Sequence, residues 1–362
     1  MSESVRILHF ADAHIDIANY GRHDPQSALP IRVMDFFKSL ETIVDTAIQE
    51  KIHLVLFAGD TYKDRNPHPT FQKEWQTQMM RLSRAGISTL LLVGNHDVSP
   101  ATGRSHTLQE FKTLSIPKIG VADEIALWTP TQLGVPIQVI TIPWMSRSAF
   151  MTRKETLEKS SSDILQFIEQ CISEHLQKLL TLTQPEFPVI LLAHASIQGA
   201  QYSSERMVML GQEMILRLDQ VTRPPVDYVA LGHIHKHQSL NSQRHPPVVY
   251  PGSIERINFG ESKEEKGFVL ASISRGNTSW SFHPLQTRKF LEIQLKPNTP
   301  ETFLEDIQQQ LPPLQEIKGA VCRLHLHYPK DWDELLDENI LTKYFQDALS
   351  FQIQKYRRAP DR

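Results

Sequence analysis

The chain has 362 residues, 40% of them hydrophobic and 22% charged, with a formal net charge of −3. That length exceeds the roughly 250–300 residues one core can span, so a large domain plus a smaller one is expected. The balance excludes a disordered chain and a global positive field, no apolar run reaches the ~18 residues of a membrane span, and two isolated cysteines, Cys171 and Cys322, exclude a disulfide framework or thiolate metal site.

Charged residues at Glu3, Arg6, Asp12 and Asp16 leave no uncharged stretch for a signal peptide, so a cytoplasmic protein without membrane contact is expected. Val5–Ala11 reads as a strand. Val33, Phe36, Phe37, Leu40, Ile43, Val44, Ala47 and Ile48 follow at helical spacing. Strand His53–Ala58, a helix carrying Phe71, Trp75, Met79 and Leu82 and closed by Gly86, and strand Ser88–Val93 continue a β-α-β-α-β alternation. Further strands are predicted at Glu124–Trp128 and Ile137–Ile142, then a long helix over Ser160–Leu182. After strand Val189–Ala193 a short helix is expected near Gly211–Leu216. Strands Val226–Leu231, Val248–Tyr250, Gly267–Ser272 and Ser279–His283 come next, too closely spaced for intervening helices and so partly antiparallel. A boundary near Pro284–Arg288 separates residues 1–284 from a small α+β domain, 285–362. Its expected order is strand Phe290–Leu295, helix Pro300–Leu311, strand Ala320–His327 and helix Trp332–Tyr356, with Arg357–Arg362 as a frayed tail.

Five short motifs sit at the carboxyl ends of the apolar runs: Asp12-Ala13-His14, Gly59-Asp60, Gly94-Asn95-His96-Asp97, Ala193-His194-Ala195 and Gly232-His233-Ile234-His235. Strand carboxyl ends are where open α/β folds build their sites. Each motif alone is weak; the ordered set points to a metal-dependent enzyme. Phosphodiester hydrolysis needs an activated water, neutralised phosphate oxygens and a protonated leaving group, and two divalent metals supply the first two. Asp60 is the natural bridging carboxylate. Asp12 and His14 would serve one metal, Asn95 and His194 the other, each completed by His233 or His235, which point the same way from an extended segment. Imidazole mixed with carboxylate suits manganese, iron or zinc better than calcium. His96 follows a ligand and can face the substrate as a proton donor, with Asp97 orienting the loop or that imidazole; these two are the candidate catalytic pair. The charge run Lys263–Lys266 reads as a solvated turn, and His325 and His327 as the polar side of a strand.

The ordered motifs resemble those of the calcineurin-like metallophosphoesterase superfamily over residues 5–240. The stretch Tyr250-Pro251-Gly252-Ser253-Ile254-Glu255-Arg256-Ile257-Asn258-Phe259-Gly260-Glu261 narrows the resemblance to SbcD-type DNA repair exonucleases. This resemblance implies an α/β fold, a metallophosphoesterase β-sandwich with flanking helices, plus a C-terminal α+β DNA-capping domain. It implies one metal on Asp12, His14, Asp60 and His235 and a second on Asp60, Asn95, His194 and His233, with manganese as the working ion and His96 as the catalytic, non-ligand histidine. Lys63, Ser253 and Arg256 are the candidate substrate contacts, and Arg288, Lys289, Lys318 and Arg323 the basic residues available to DNA in the small domain. The implied activities are 3′-to-5′ digestion of duplex DNA and endonucleolytic cutting of single strands and hairpins. The implied partners are DNA, an SbcC-like SMC-type ATPase and a second copy of the chain. Two departures stand out. Lys63 occupies the place where archaeal and eukaryotic relatives carry a histidine, and the helical ATPase-binding segment that follows the small domain in relatives is expected to be missing or shortened. Two other readings share the motifs: a small-substrate phosphodiesterase or phosphatase, and a non-catalytic scaffold, against which the intact ligand set argues.

Overall fold

A computed structural model describes residues 4–98, 105–145, 161–203, 215–242 and 244–358. In chain order its strands are β1 (Val5–Phe10), β2 (Leu54–Phe57), β3 (Ser88–Leu92), β4 (Ile119–Ala122), β5 (Ala126–Trp128), β6 (Gln138–Ile142), β7 (Val189–His194), β8 (Ser196–Ile197), β9 (Ile215–Leu216), β10 (Val226–Gly232), β11 (Gln238–Ser239), β12 (Val248–Tyr250), β13 (Gly267–Ser274), β14 (Asn277–Pro284), β15 (Phe290–Leu295), β16 (Val321–Pro329) and β17 (Ser350–Arg358). The chain divides into two compact units. The first holds Met1–Ile17, Phe36–Glu255 and Glu264–Gln286; the second holds Ala18–Asp35, Arg256–Lys263 and Thr287–Arg362. Among the described residues, no helix is long and apolar enough to cross a membrane.

The first unit contains two six-stranded sheets, in the orders β14-β13-β1-β2-β3-β4 and β11-β12-β10-β7-β6-β5. In the first, β1 to β4 run parallel and β13 and β14 add antiparallel. In the second, β12, β10, β7 and β6 run parallel, with β11 and β5 antiparallel at the edges. Runs such as Leu54–Phe57 and Val189–His194 are apolar on both sides because each sheet is covered on both faces. One side faces the other sheet: Ile7, Leu56 and Leu92 pack with Ile190, Leu192 and Ala230 in one core. The opposite side takes helices. Phe10 and Phe57 pack with Trp75 of helix Pro69–Arg84, while Leu191 and Val229 pack with Ile168, Ile172 and Leu176 of helix Ser161–Thr181. Trp75 is fully buried, so truncating it to Ala would cost about 3–5 kcal/mol. The registers Phe10↔Phe57↔Leu91 and Gly232↔His194 bring the carboxyl ends of neighbouring parallel strands level, and the loops that follow carry the site.

In the second unit β15, β16 and β17 form a parallel sheet in that order. Leu324, Leu326 and Tyr328 of β16 pack with Phe303 and Ile307 of helix Phe303–Gln310 and with Leu341 of helix Glu338–Tyr344.

Four sequence expectations change. The helix expected over Trp332–Tyr356 ends at Tyr344, after a 3₁₀ segment at Lys330–Leu335, and Ser350–Arg358 is strand β17. Beyond Tyr344 the apolar period falls to two, with Phe351 and Ile353 toward the helices, and nine registered pairs along β16 outweigh any helical tendency. Arg357 and Arg358 belong to that strand rather than to a frayed tail; residues 359–362 lie outside the described residues. Of the helix expected near Gly211–Leu216, residues up to 214 lie outside the described residues, while Ile215–Leu216 is a strand and a helix follows at Leu218–Val221. Finally, Lys266 is not part of a solvated turn. It is 1% exposed, and its ammonium donates to the His235 carbonyl at 2.9 Å and to Glu264 at 2.9 Å.

Candidate metal centre

The loops after β1, β2 and β10 are laced together by their backbone N–H groups. Asp12 N–H donates to Gly59 O at 2.9 Å and Ala13 N–H to Asp60 O at 2.9 Å, and the His233 N–H lies 3.0 and 3.1 Å from the two Asp12 carboxylate oxygens. Asp12, His14, Asp60 and His233 all have positive φ, at 50°, 39°, 66° and 97°. A non-glycine residue there is strained, and such strain persists only where the surroundings over-determine it, as at functional sites. Tight packing explains the glycines of the motifs. A Cβ at Gly232 would collide with the Ala58 carbonyl, and one at Gly59, whose φ is 96°, with the His194 ring.

Two buried groups of metal-ligand type result: Asp12 with His14 and His235, and Asp12 with Asp60 and His194, the ligand atoms of each lying within 4.8 Å of one another. Asp60 Oδ2 is 3.8 Å from His14 Nε2 and 3.5 Å from His194 Nε2, so this one carboxylate reaches both groups. Asn95 Oδ1 lies 2.9 Å from His194 Nε2 and 3.0 Å from His233 Nδ1. The seven expected ligand residues therefore converge.

Their electrostatics suit cations. Burial pushes the Asp12 carboxyl up to about 7 and holds His14 well below its ordinary value. At Asp60 burial acts upward too, but the charges of His194 and His96 outweigh it and keep the carboxyl well below the usual carboxylate range. Burial disfavours the His194 cation as well, yet Asp60 raises it to about 9. His14 Nε2 and His235 Nε2 face each other at 3.2 Å, and only one nitrogen of a facing neutral pair can carry a proton. A desolvated pocket of opposed imidazoles and carboxylates is the donor set that divalent cations with nitrogen and oxygen preference require. Two of the rings are also oriented from behind, His14 Nδ1 by Tyr62 O at 3.3 Å and His194 Nδ1 by Ala58 O at 2.6 Å.

His96 stands beside this pocket. Its N–H donates to Asp60 Oδ1 at 2.8 Å, its Nδ1 lies 3.0 Å from Lys63 O, and its Nε2 lies 3.2 Å from the Lys63 ammonium. Burial, with Lys63 acting the same way, lowers the imidazole below its ordinary value. Asp97 does not face that ring. It is 1% exposed, and its carboxylate accepts the N–H groups of Asp60, Thr61 and Gly94 and the Thr107 hydroxyl. Ser253 is fully buried, its N–H donating to His235 O at 3.0 Å and its hydroxyl to Glu255 O at 3.0 Å. Arg256 belongs to the second unit, where its guanidinium donates to Thr287 Oγ1 at 2.6 Å and Arg288 O at 3.0 Å. Arg288 in turn grips the Asp35 carboxylate, and the Arg323 guanidinium lies 3.8 Å from the centroid of the Phe259 ring; Lys289 and Lys318 are exposed.

Three neighbours escaped the sequence reading. Trp144 follows β6 and packs its ring at a tilt against His233, with ring centroids 5.1 Å apart. The rule that strand ends carry the site would have reached it. His9, fully buried, lies 3.1 Å from both Tyr228 Oη and Leu231 O, and nothing in its local sequence marks it. Lys266 was hidden inside a charge run.

Among curated proteins, the chain is 25% identical over 284 residues to the uncharacterized metallophosphoesterase YhaO of Bacillus subtilis, covering 78% of this chain and 60% of that protein. It is 26% identical over 279 residues to a subunit of the nuclease SbcCD of Escherichia coli, covering 75% and 66%. It is 23% identical over 332 residues to the DNA double-strand break repair protein Mre11 of Methanosarcina acetivorans, covering 90% and 46%. The chain thus spans between about half and two thirds of the length of these relatives. The family model for calcineurin-like phosphoesterases matches residues 5–237, the stretch that builds both sheets' central strands and every motif of the centre. The chain belongs to the calcineurin-like phosphoesterase family.

Proposed function

We propose that this chain is a two-metal-dependent DNA nuclease, digesting duplex DNA from 3′ to 5′ and cutting single strands and hairpins during double-strand break repair. The observation that carries the reading is Asp60, one carboxylate within reach of two buried ligand groups, in a family whose matched members include the SbcCD nuclease and Mre11. One ion, with manganese expected, would be held by Asp12, His14, Asp60 and His235, and a second by Asp60, Asn95, His194 and His233; when bound, such a pair supplies Lewis acidity toward a phosphoryl group and an acidified water.

The protein's own part is positioning and proton supply. His96 is pinned through its N–H to Asp60 and through Nδ1 to Lys63 O, which leaves Nε2 directed at the Lys63 ammonium. A proton shared between those two atoms can pass to the leaving oxygen of the cleaved diester, and the Lys63 charge can meet a phosphate oxygen. Exposed Lys289 and Lys318 offer phosphate contacts in the second unit, which we assign as the DNA-capping domain. An SMC-type ATPase and a second copy of the chain are the proposed partners.

The test is a substrate panel with the manganese-loaded protein: end-labelled linear duplex, a single-stranded hairpin, bis-p-nitrophenyl phosphate and cyclic nucleotides. Shortening of the duplex and nicking of the hairpin are expected. Hydrolysis of the small diesters with both DNAs intact would assign the site to small substrates. Full metal loading with every substrate untouched would make the chain a scaffold.

A further inference from the structure

The second unit carries an apolar groove that the metal centre does not use. Helix Phe303–Gln310 and the residue after it present Leu304, Ile307 and Leu311; helix Glu338–Tyr344 presents Ile340, Leu341 and Tyr344. Both sets follow helical spacing, so each helix turns one stripe into a shared cavity of about 250 Å³. Ile307 and Leu341 form its floor at 2% exposure each, whereas Leu304 and Ile340 stand at its mouth, 40% and 39% exposed. Leu335, 39% exposed, lies beside the groove residue Leu336. Single exposed apolar side chains are ordinary; Leu304 and Ile340 exposed together at the mouth of one cavity mark an interaction surface.

The rim is acidic although the whole chain is nearly neutral. Across residues 301–311 and 334–344 the charged side chains are Glu301, Glu305, Asp306, Glu334, Asp337 and Glu338 against Lys343 alone. Glu338 is paired with Lys355, while Glu301, Glu305, Glu334 and Asp337 are exposed. A strand could not dock here, because two helices offer no open backbone edge. A polyproline segment prefers aromatic walls, and among these lining residues Tyr344 alone is aromatic. An anionic lipid surface, or the same face of a second copy, would meet like charge.

We propose that this groove receives an amphipathic α-helix of a partner protein, its apolar i, i+3/i+4, i+7 face filling the cavity and flanking Lys or Arg residues meeting the acidic rim. Length and shape agree, since two helices of about two turns each hold a comparable stretch of a third. The site does not depend on which phosphodiester the metal centre cleaves.

The probe is a synthetic helical peptide of about five turns with a leucine face and lysine flanks, labelled for fluorescence anisotropy against the full chain. Two controls keep the leucines: one has glutamate flanks, the other a central proline that breaks the helix. Binding of the first peptide with a Kd in the micromolar range is expected, with each control weaker by about tenfold or more. Leu304→Gln and Ile340→Gln, at exposed positions of short helices, are each expected to weaken binding by about tenfold. Hydrolysis of bis-p-nitrophenyl phosphate by these variants should match the parent chain, and their far-UV circular dichroism and thermal melting should match it too, which verifies the folding of the second unit. Equal binding of the proline-broken peptide, or unchanged affinity in both Gln variants, would overturn the proposal. So would a parent-chain dimer that Leu304→Gln converts to monomer, since the occupant would then be a second copy.

Discussion

Asp97 offers the sharpest test of how the centre is held together. Its Oδ2 accepts the N–H groups of Asp60 and Gly94, both at 2.9 Å, and its Oδ1 accepts the Thr61 N–H at 3.1 Å and the Thr107 hydroxyl at 2.8 Å. Asn has the same shape but only one oxygen. In its better placement the amide nitrogen takes the Oδ1 position and donates to Thr107, which leaves the Thr61 N–H facing a donor and turns two charge-assisted bonds into neutral ones. An unsatisfied buried N–H costs about 1–3 kcal/mol, and losing the charge from each remaining bond about 1 kcal/mol, so Asp97→Asn should destabilise the first unit by about 3–5 kcal/mol. At ~2 °C per kcal/mol for a domain of about 250 residues, the Tm should fall by ~6–10 °C. Metal binding should weaken at both positions together, because the Asp60 and Gly94 peptides flank the shared carboxylate and Asn95. Differential scanning calorimetry and manganese titration by isothermal calorimetry read the two effects. If Asp97→Asn kept its Tm and metal affinity and lost only kcat, Asp97 would be an acid–base group and the positioning role would be refuted.

Other outcomes follow from the same geometry. Asp60→Ala should release both ions in metal analysis and abolish hydrolysis; two ions still bound would remove the bridge. His96→Ser should keep metal occupancy while slowing cleavage by about 10²–10⁴, and loss of metal would make His96 a ligand instead. Burial holds the His9 imidazole down at about 3 against its ordinary 6.5, so the folded ring is neutral while the unfolded chain takes up a proton. That stability is present above about pH 6.5 and is lost as pH falls toward 3; between about pH 7.5 and pH 5.5 the loss is about 1.4 kcal/mol. Urea unfolding of the metal-free parent and His9→Gln proteins should show that difference, and parallel pH profiles would refute it. Replacing Lys289 and Lys318 together by Glu should lower duplex affinity and flatten the slope of log K against log salt by about 1.8, the contribution of two phosphate contacts at ~0.9 each; an unchanged slope would place DNA elsewhere.

The fold was legible where local and global preferences agree. The apolar runs in Leu54–Phe57, Ser88–Leu92 and Val189–His194 are short, buried on both faces and lead into Gly59, Gly94 and His194, the pattern of buried parallel strands. The sequence misled where one period passes into another without a break. From Trp332 to Tyr344 apolar residues keep helical spacing, and only the alternation of Phe351 and Ile353 after Gln346-Asp347 announces β17. A strand of Gln, Tyr and Arg on its outer side becomes a strand because β16 supplies nine partners, which no local window contains.

The centre was more legible than the fold around it, for a chemical reason. The ligands proposed for it are His, Asp and Asn, and they follow strands with clear apolar runs, so the chain order gathers them. What escaped acts through the backbone. Lys266 reaches the His235 carbonyl from 31 residues away, and its neighbours Lys263, Glu264 and Glu265 give it the look of a surface turn. Yet an ammonium 1% exposed must have its donors met, and it meets them on the His235 carbonyl and on Glu264. The same carbonyl accepts the Ser253 N–H, so the stretch from Tyr250 to Glu255 holds the His235 loop rather than presenting Ser253 outward. The tyrosine-proline-glycine-serine segment therefore contributes to the centre as support for a ligand loop, a role written in a shared carbonyl oxygen and invisible in the spacing of side chains.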